Sequence, residues 1–183
     1  MAVRPRGAVG VTAVNKILVS GCLNGPPIRF DATNVRFASE IWERWLADGR
    51  IVAFCPELGA GFAVPRAPAE IVDGTAADVI AGNARVLEDN GTDVTDMFVT
   101  GARLALARAR DEGCVAAVLT DGSPTCGSTY TFDGTFEGGT VPGMGVAAQV
   151  LRDAGIRVFP ESRLADADSY LRSLGELRDG RGR

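Results

Sequence analysis

The run Lys16-Ile17-Leu18-Val19-Ser20-Gly21-Cys22 is the first of four short apolar segments that set the fold class. It is rich in β-branched residues and ends at a glycine turn signal, which is typical of a buried β-strand. Similar apolar segments follow at residues 51–55 (IVAFC), 115–120 (VAAVLT) and 156–159 (IRVF). These four segments are therefore predicted to be strands.

Helical segments alternate with these strands. Apolar residues recur at three- and four-residue spacing over residues 34–48 and 95–112, and a glycine follows each segment. Two further helices are predicted at 143–154 and 163–174. Strands that alternate with helices indicate an α/β fold. We expect a three-layer, Rossmann-like arrangement, in which a mostly parallel sheet carries helices on both faces.

Three connections are predicted to be irregular or hairpin-like. Residues 56–68 contain three prolines, and an irregular segment of that size in a compact domain is often functional. The pair Asn90-Gly91 favours a tight turn between two short apolar segments, as in a small hairpin. Residues 129–142 carry alternating aromatic side chains around Gly134. They are predicted to form a small hairpin inserted into the domain.

Length and composition indicate one soluble globular domain, since 46% of the 183 residues are hydrophobic. We predict a disordered arm at 1–15, a single domain at 16–175 and a flexible tail at 176–183. No run of about 18 apolar residues is present, so no membrane span is predicted. The stretch 8–14 is short for a secretory signal, which favours a cytoplasmic protein.

The residue counts also exclude several kinds of chemistry. Because the chain has no histidine, it cannot contain a Ser-His-Asp triad, a Cys-His nucleophile pair or a His-ligated metal. Acid–base work must come from carboxylates, hydroxyls, thiols, the single lysine or a metal-bound water. The net charge of −4 counts against nucleic-acid binding, which usually requires a basic surface.

The four cysteines divide into a group of three and a single one. Cys22, Cys55 and Cys126 lie at or just beyond the carboxyl ends of predicted strands, whereas Cys114 precedes a strand. Ligands of open α/β sheets bind at the carboxyl ends of the strands, so three thiols are predicted to converge there. The alternative is that all four are small buried apolar residues, and this structural role is expected for Cys114.

Three converging thiolates suit a soft metal. A zinc site would need a fourth protein ligand, or water if it were catalytic. A [4Fe–4S] cluster held by three cysteines would leave one iron open as a Lewis acid.

Several ordered motifs resemble those of the thiouracil desulfurase (TudS) family, formerly a domain of unknown function numbered 523. The resemblance spans roughly residues 16–160. The matching blocks are SGCLNG at 20–25, RFD at 29–31, FCPE at 54–57, PRAPAE at 65–70, SPTCGS at 123–128 and DGTF at 133–136.

The resemblance implies an iron–sulfur cofactor and a reaction. Cys22, Cys55 and Cys126 would hold a [4Fe–4S] cluster, whose fourth iron would bind the sulfur of a thiolated pyrimidine. The substrate would be a small molecule such as 2-thiouracil, which would yield uracil and sulfide without net redox turnover. Because one iron is open, aerobic handling could remove the cluster.

The resemblance also points to two catalytic residues. Glu57 and Ser123 are candidates for proton transfer and for orienting the substrate, and a neutral or raised-pKa Glu57 could act as acid–base in place of histidine. Alternatively, Glu57 could pair with an arginine, and Ser123 could simply begin a turn before Pro124.

Four further residues are candidates for substrate binding. Arg29 and Asp31 could form an ion pair that shapes the first loop, or Asp31 could contact the substrate. Gly127 and Ser128 could direct backbone N–H groups at the sulfurs of the cluster.

Two other functions remain open from the sequence. One is a thiouridine desulfurase that acts on tRNA, which the acidic composition disfavours. The other is a non-catalytic iron–sulfur or zinc module that senses metal or redox state. A monomer or a small homo-oligomer is expected in each case.

Overall fold

The structure is a computed structural model that describes residues 14–33 and 39–179. Its strands are β1 (Lys16–Ser20), β2 (Ile51–Phe54), β3 (Ala69–Val72), β4 (Arg85–Glu88), β5 (Cys114–Leu119), β6 (Tyr130–Phe132), β7 (Thr140–Pro142) and β8 (Arg157–Pro160). Its helices are α1 (Glu40–Ala47), α2 (Pro56–Gly59), α3 (Ala76–Ala81), α4 (Thr95–Asp111), α5 (Val146–Asp153) and α6 (Leu164–Asp179). Single 3₁₀ turns follow β1 at Gly21–Asn24 and β8 at Glu161–Arg163.

The four strands predicted from the apolar segments form one sheet. Its order is β2-β1-β5-β8, and each neighbouring pair is parallel. Parallel neighbours cannot be joined by a tight hairpin, so the connections between these strands cross over the sheet. The prediction of an α/β fold with a parallel sheet is therefore confirmed.

Two apolar clusters cover the opposite faces of this sheet. On one face, Leu18 of β1 and Ala117 of β5 pack with residues of α4 and α5. On the other face, Ile17 and Val19 pack with Trp45 of α1 and with residues of α6. Successive strand residues point to opposite faces, and both faces here are apolar. This explains why the strands read as continuous apolar runs.

Helix α1 begins at Glu40 rather than at residue 34. Ser39 has an extended backbone, and its hydroxyl oxygen accepts a hydrogen bond of 3.1 Å from the N–H of Trp42. This is an N-cap, which marks the start of a helix. The remainder of the predicted start, residues 34–38, lies outside the described residues.

A small antiparallel ribbon differs from the sequence prediction. Strand β4 pairs over its full length with β3. Across the Asn90-Gly91 turn, the N–H groups of Glu88 and Val94 donate to the carbonyls of Thr92 (2.9 Å) and Val86 (3.0 Å), and a bridge joins Leu87 to Asp93. The predicted small hairpin is therefore present, beside a longer ladder with β3. Strand β3 and helix α3 were not predicted, and the short helix α2 lies in the segment predicted to be irregular.

The remaining predictions concern the hairpin and the ends of the chain. Strands β6 and β7 pair antiparallel, as predicted for 129–142. Helix α6 continues to Asp179, beyond residue 175 where the sequence places the end of the domain. Residues 1–13 and 180–183 of the predicted arm and tail lie outside the described residues. Among the helices that the structure describes, none is long and apolar enough to cross a bilayer.

Candidate active site

A cavity of about 320 Å³ opens at the carboxyl edge of the parallel sheet. Cys22, Cys55 and Cys126 all line it. Cys114 is the first residue of β5, so it lies at the end of that strand opposite to the cavity. It is not among the residues that line the cavity. The structure thus separates the cysteines into the same three and one as the sequence does, and all four are free thiols.

The sheet topology accounts for this convergence. In the parallel pairing of β1 with β2, Ser20 is aligned with Phe54, so the 3₁₀ turn that contains Cys22 and the residue Cys55 emerge side by side. Strand β5 flanks β1 on its other side, and the N–H of Thr120 donates a hydrogen bond of 3.0 Å to Ser20 Oγ. Cys126 follows in the loop after β5 and is buried.

Gly21 allows the first two cysteine segments to approach. A Cβ atom at this position would lie 2.8 Å from Ile28 Cδ1 and 3.3 Å from Cys55 Cβ. Both distances are tighter than ordinary van der Waals contact, so a side chain here would press on the segment that carries Cys55. The glycine in the SGC motif is therefore explained by close packing.

Burial raises the pKa of the Cys22, Cys55 and Cys126 thiols, most strongly for Cys126. A hydrogen bond of 3.2 Å between Cys22 Sγ and Thr120 Oγ1 partly offsets the effect for Cys22. The proximity of Cys22 and Cys55 adds to the rise for Cys126. Burial thus disfavours the thiolate form, and a metal that binds these thiols must displace their protons.

Among the residues that the structure describes, the Cys, Asp and Glu side chains form no group of three or more at the spacing of a ready-made site for a single metal ion.

Glu57, at the start of α2, is held at the cavity wall by two partners. Its Oε2 accepts a hydrogen bond of 2.6 Å from Arg66 Nε and also contacts Arg66 Nη2. Its Oε1 accepts one of 2.7 Å from Thr125 Oγ1. The side chains of Glu57 and Arg66 are only 14% and 8% exposed. Both oxygens accept hydrogen bonds, so Arg66 and Thr125 together hold the carboxyl group in one orientation.

Ser123 lines the cavity and also organises the loop that carries Cys126. Its Oγ accepts hydrogen bonds from the N–H groups of Thr125 (3.1 Å) and Cys126 (3.2 Å). The turn expected before Pro124 is therefore present. Because the oxygen acts as acceptor in both bonds, they leave the hydroxyl hydrogen free to be donated to a molecule in the cavity.

Gly127 and Ser128 use their N–H groups within the protein. Gly127 donates to the carbonyl of Ser123 at 2.8 Å, and Ser128 donates to Asp121 Oδ1 at 2.6 Å. Neither residue is among those that line the cavity. The expectation that their amides face a bound cofactor is therefore not met, because loop carbonyl and carboxylate oxygens already accept those hydrogens.

The two candidates of the first loop are placed differently. Arg29 lines the cavity and lowers the pKa of Cys22 through its positive charge, although burial outweighs this effect. Asp31 is exposed, and its carboxylate accepts hydrogen bonds from the N–H (3.1 Å) and the hydroxyl (2.6 Å) of Thr33. The main partner of Asp31 is thus Thr33 rather than Arg29, and Asp31 lies outside the cavity lining.

Arg66 and Thr125 were missed as site residues. Both anchor Glu57, and Arg66 Nη1 also donates to the carbonyls of Ile28 (3.3 Å) and Ala63 (3.2 Å). The alternative that Glu57 pairs with an arginine is confirmed. The only signal in the sequence was that both residues fall inside motif blocks, since Thr125 is 68 positions from Glu57.

Comparisons with known proteins identify the family of this chain. The family model described as 2-thiouracil desulfurase matches residues 17–163. The uncharacterized protein YbbK of Bacillus subtilis is 41% identical over 150 residues, which cover 82% of this chain and 98% of YbbK. The solved structure of a [4Fe-4S]-dependent thiouracil desulfidase, TudS, is similar with a TM-score of 0.78 and 39% identity, over 86% of this chain and 97% of that one. The chain therefore belongs to the 2-thiouracil desulfurase family.

Proposed function

We propose that this chain is a desulfidase that hydrolyses the thiocarbonyl of a small thiolated pyrimidine such as 2-thiouracil. Water and 2-thiouracil would give uracil and hydrogen sulfide, so that atoms balance and no electrons are transferred. The observation that carries the proposal is the meeting of Cys22, Cys55 and Cys126 with Glu57 and Ser123 in one cavity.

The donor set fits a [4Fe–4S] cluster held by Cys22, Cys55 and Cys126. Three thiols are one fewer than such a cluster binds in electron carriers, and the similar TudS structure is described as [4Fe-4S]-dependent. When bound, the cluster would supply a Lewis-acidic, thiophilic iron with an open position.

Glu57 and Ser123 would carry out the proton chemistry. Glu57, oriented by Arg66 and Thr125, would accept a proton from the water that attacks the thiocarbonyl carbon. The hydroxyl of Ser123 would donate a hydrogen bond to the oxygen of the pyrimidine and so orient the ring.

Anaerobic biochemistry tests the proposal directly. Purified, reconstituted protein should contain iron and acid-labile sulfide and should release sulfide from 2-thiouracil. Glu57→Gln should retain the cluster and lose most turnover, because an amide cannot accept the proton. A protein that contains no cluster, both as isolated under anaerobic conditions and after reconstitution, would contradict the proposal.

The same assay separates the other two functions. A tRNA desulfurase would release sulfide from thiolated tRNA in preference to the free base. A sensor would keep its cluster, release sulfide from neither substrate and be indifferent to Glu57→Gln. The net charge of −4 favours the free base.

A further inference from the structure

We propose that the β6–β7 hairpin recognises the substrate ring by stacking on Phe132 and Phe136, and that Glu70 is the positioning residue that holds the hairpin at the cavity. The inference rests on the proposed function, because the ring it describes is that of the thiolated pyrimidine. It extends that function by naming the element that selects a planar heteroaromatic molecule.

The phenylalanines of the cavity wall fall into two groups. Phe62 and Phe98 pack against each other edge-to-face, with ring centroids 5.4 Å apart and an interplanar angle of 77°, and Phe98 is buried. Phe30, Phe132 and Phe136 also line the cavity but are 37–39% exposed. The first pair belongs to the core, whereas the second group offers aromatic surface to a ligand.

Glu70 joins the hairpin to β3. Its side chain is buried, at 7% exposure, and it lines the cavity. Its Oε2 accepts hydrogen bonds from the N–H groups of Gly134 (2.8 Å) and Phe136 (3.2 Å). A buried carboxylate that accepts two N–H groups forms strong, charge-assisted bonds. The side chain of Glu70 therefore ties the loop between β6 and β7 to strand β3.

The backbone of this loop is also held against β3. Gly134 has a φ of +85°, and a Cβ atom there would lie 2.6 Å from the carbonyl oxygen of Ile71. Within the loop, Asp133 Oδ1 accepts hydrogen bonds from the N–H (3.1 Å) and the hydroxyl (2.6 Å) of Thr135. The loop is thus fixed both internally and to its neighbour.

Phe136 itself has a φ of +61°. This left-handed conformation is unfavourable for a bulky residue and persists only where surrounding contacts impose it. Here the N–H bond to Glu70 is one such contact. Phe136 thus places an aromatic side chain at the cavity, although only glycine adopts this backbone conformation without strain.

The cavity thus combines two kinds of recognition. The polar groups of Glu57 and Ser123 suit the N–H, oxygen and thiocarbonyl edge of a pyrimidine, and the phenylalanines suit its faces. Any nucleobase can stack on an aromatic side chain, and such stacking contributes substantially to binding. A planar heteroaromatic thiocarbonyl should therefore bind far better than a non-planar one.

The first test replaces the two hairpin phenylalanines by leucine. Leucine keeps an apolar side chain and suffers the same backbone strain at position 136, but it has no aromatic face. Phe132→Leu and Phe136→Leu should each raise KM for 2-thiouracil about five- to 100-fold, with kcat within about twofold, since stacking on one side chain contributes that much. Tyr130→Leu is the matched control, because Tyr130 lies on the same hairpin outside the cavity lining.

A second test examines Glu70 by a double-mutant cycle. Glu70→Ala should raise KM as Phe136→Leu does, and Glu70→Gln should restore it, because its amide oxygen can accept both N–H bonds. In the Phe132→Leu/Phe136→Leu background, where neither phenylalanine is left to position, Glu70→Ala should add little. A general loss of stability would instead give effects that multiply, and that result would overturn the role of Glu70.

Equilibrium binding of uracil separates this inference from the proposed function. Ligand-observed NMR with uracil and dihydrouracil needs no turnover. The inference is supported if the wild-type protein binds planar uracil better than dihydrouracil and if Phe132→Leu and Phe136→Leu lose this preference. That support holds even if no thiolated base is desulfurised. Normal desulfidase activity, with KM and uracil binding unchanged in both variants, would overturn it and leave the proposed function intact.

Discussion

Thr125 Oγ1 donates a hydrogen bond of 2.7 Å to Oε1 of Glu57. This bond joins the loop that carries Cys126 to the residue two positions after Cys55, and both cysteines are proposed cluster ligands. Thr125 is completely buried, and its neighbour in the chain is Cys126. Cys55 immediately precedes α2, which carries Glu57. This single bond therefore links the loops after β2 and β5 across the cavity.

Replacement of Thr125 by valine should impair catalysis. Valine has nearly the same shape but no hydroxyl, so one Glu57 oxygen loses its donor, at a cost of about 1–3 kcal/mol in the free energy of unfolding. We expect kcat to fall about tenfold, because the proton acceptor is less well oriented. Denaturant unfolding and sulfide release from 2-thiouracil measure the two effects. Thr125→Ser keeps the hydroxyl and is the control, and equal activity of the two variants would refute this role.

Cysteine substitutions should separate the three cavity thiols from the fourth. Cys22→Ser, Cys55→Ser and Cys126→Ser should each bind less iron after anaerobic reconstitution and lose activity, since one ligand is removed. Cys114→Ser should retain both, because Cys114 lies at the opposite end of β5. Iron and acid-labile sulfide per chain are the readouts. Loss of iron in Cys114→Ser alone would contradict the assignment.

Cys114 should make the protein less stable at alkaline pH. Burial, with a smaller effect from the nearby carboxylate of Glu112, raises the pKa of Cys114 from its ordinary value of 9.0 to about 11. Between these values the unfolded thiol loses its proton while the folded one keeps it, so the unfolded state binds fewer protons and stability falls as pH rises.

Two pKa units correspond to at most about 3 kcal/mol of lost stability between pH 9 and pH 11. Cys114→Ala lacks this titration, so its stability relative to wild type should improve over that range. Urea unfolding at several pH values measures the difference. A difference that does not change with pH would show that the thiol titrates normally.

Gly101 should be essential for the position of α2. A Cβ atom at Gly101, in α4, would lie 2.4 Å from the carbonyl oxygen of Pro56, and backbone atoms cannot move away cheaply. Gly101→Ala should therefore destabilise the protein by about 1–3 kcal/mol and lower kcat, because α2 carries Glu57. In contrast, a Cβ at Gly175 of α6 meets no atom within 4 Å. Gly175→Ala should stabilise the protein by about 0.5–1 kcal/mol, and thermal unfolding of both variants tests the contrast.

Much of the fold was predictable because its signals are local. The continuous apolar runs predict buried strands, and the three- to four-residue spacing over 95–112 predicts helix α4 within one residue of its end. Strand β3 is as long as the predicted strands β2 and β8, but it directly follows the proline-containing segment that was predicted to be irregular. Helix α3 has only six residues, too few to show a helical period. The pairing of β4 with β3 was missed because β3 itself was not predicted.

The chemistry of the site divides in the same way. Residue types and chain order alone exclude imidazole chemistry and place Cys22, Cys55 and Cys126 at strand ends, because the ends of parallel strands share one edge. Tertiary structure decided that Glu57 pairs with Arg66 and Thr125. It also decided that Asp121 accepts the hydrogen bond of the Ser128 N–H group, and that Glu70 holds the hairpin. Two of these contacts join residues more than 60 positions apart. A hydrogen bond leaves no periodic signal in the chain, so only the folded arrangement reveals which donor meets which acceptor.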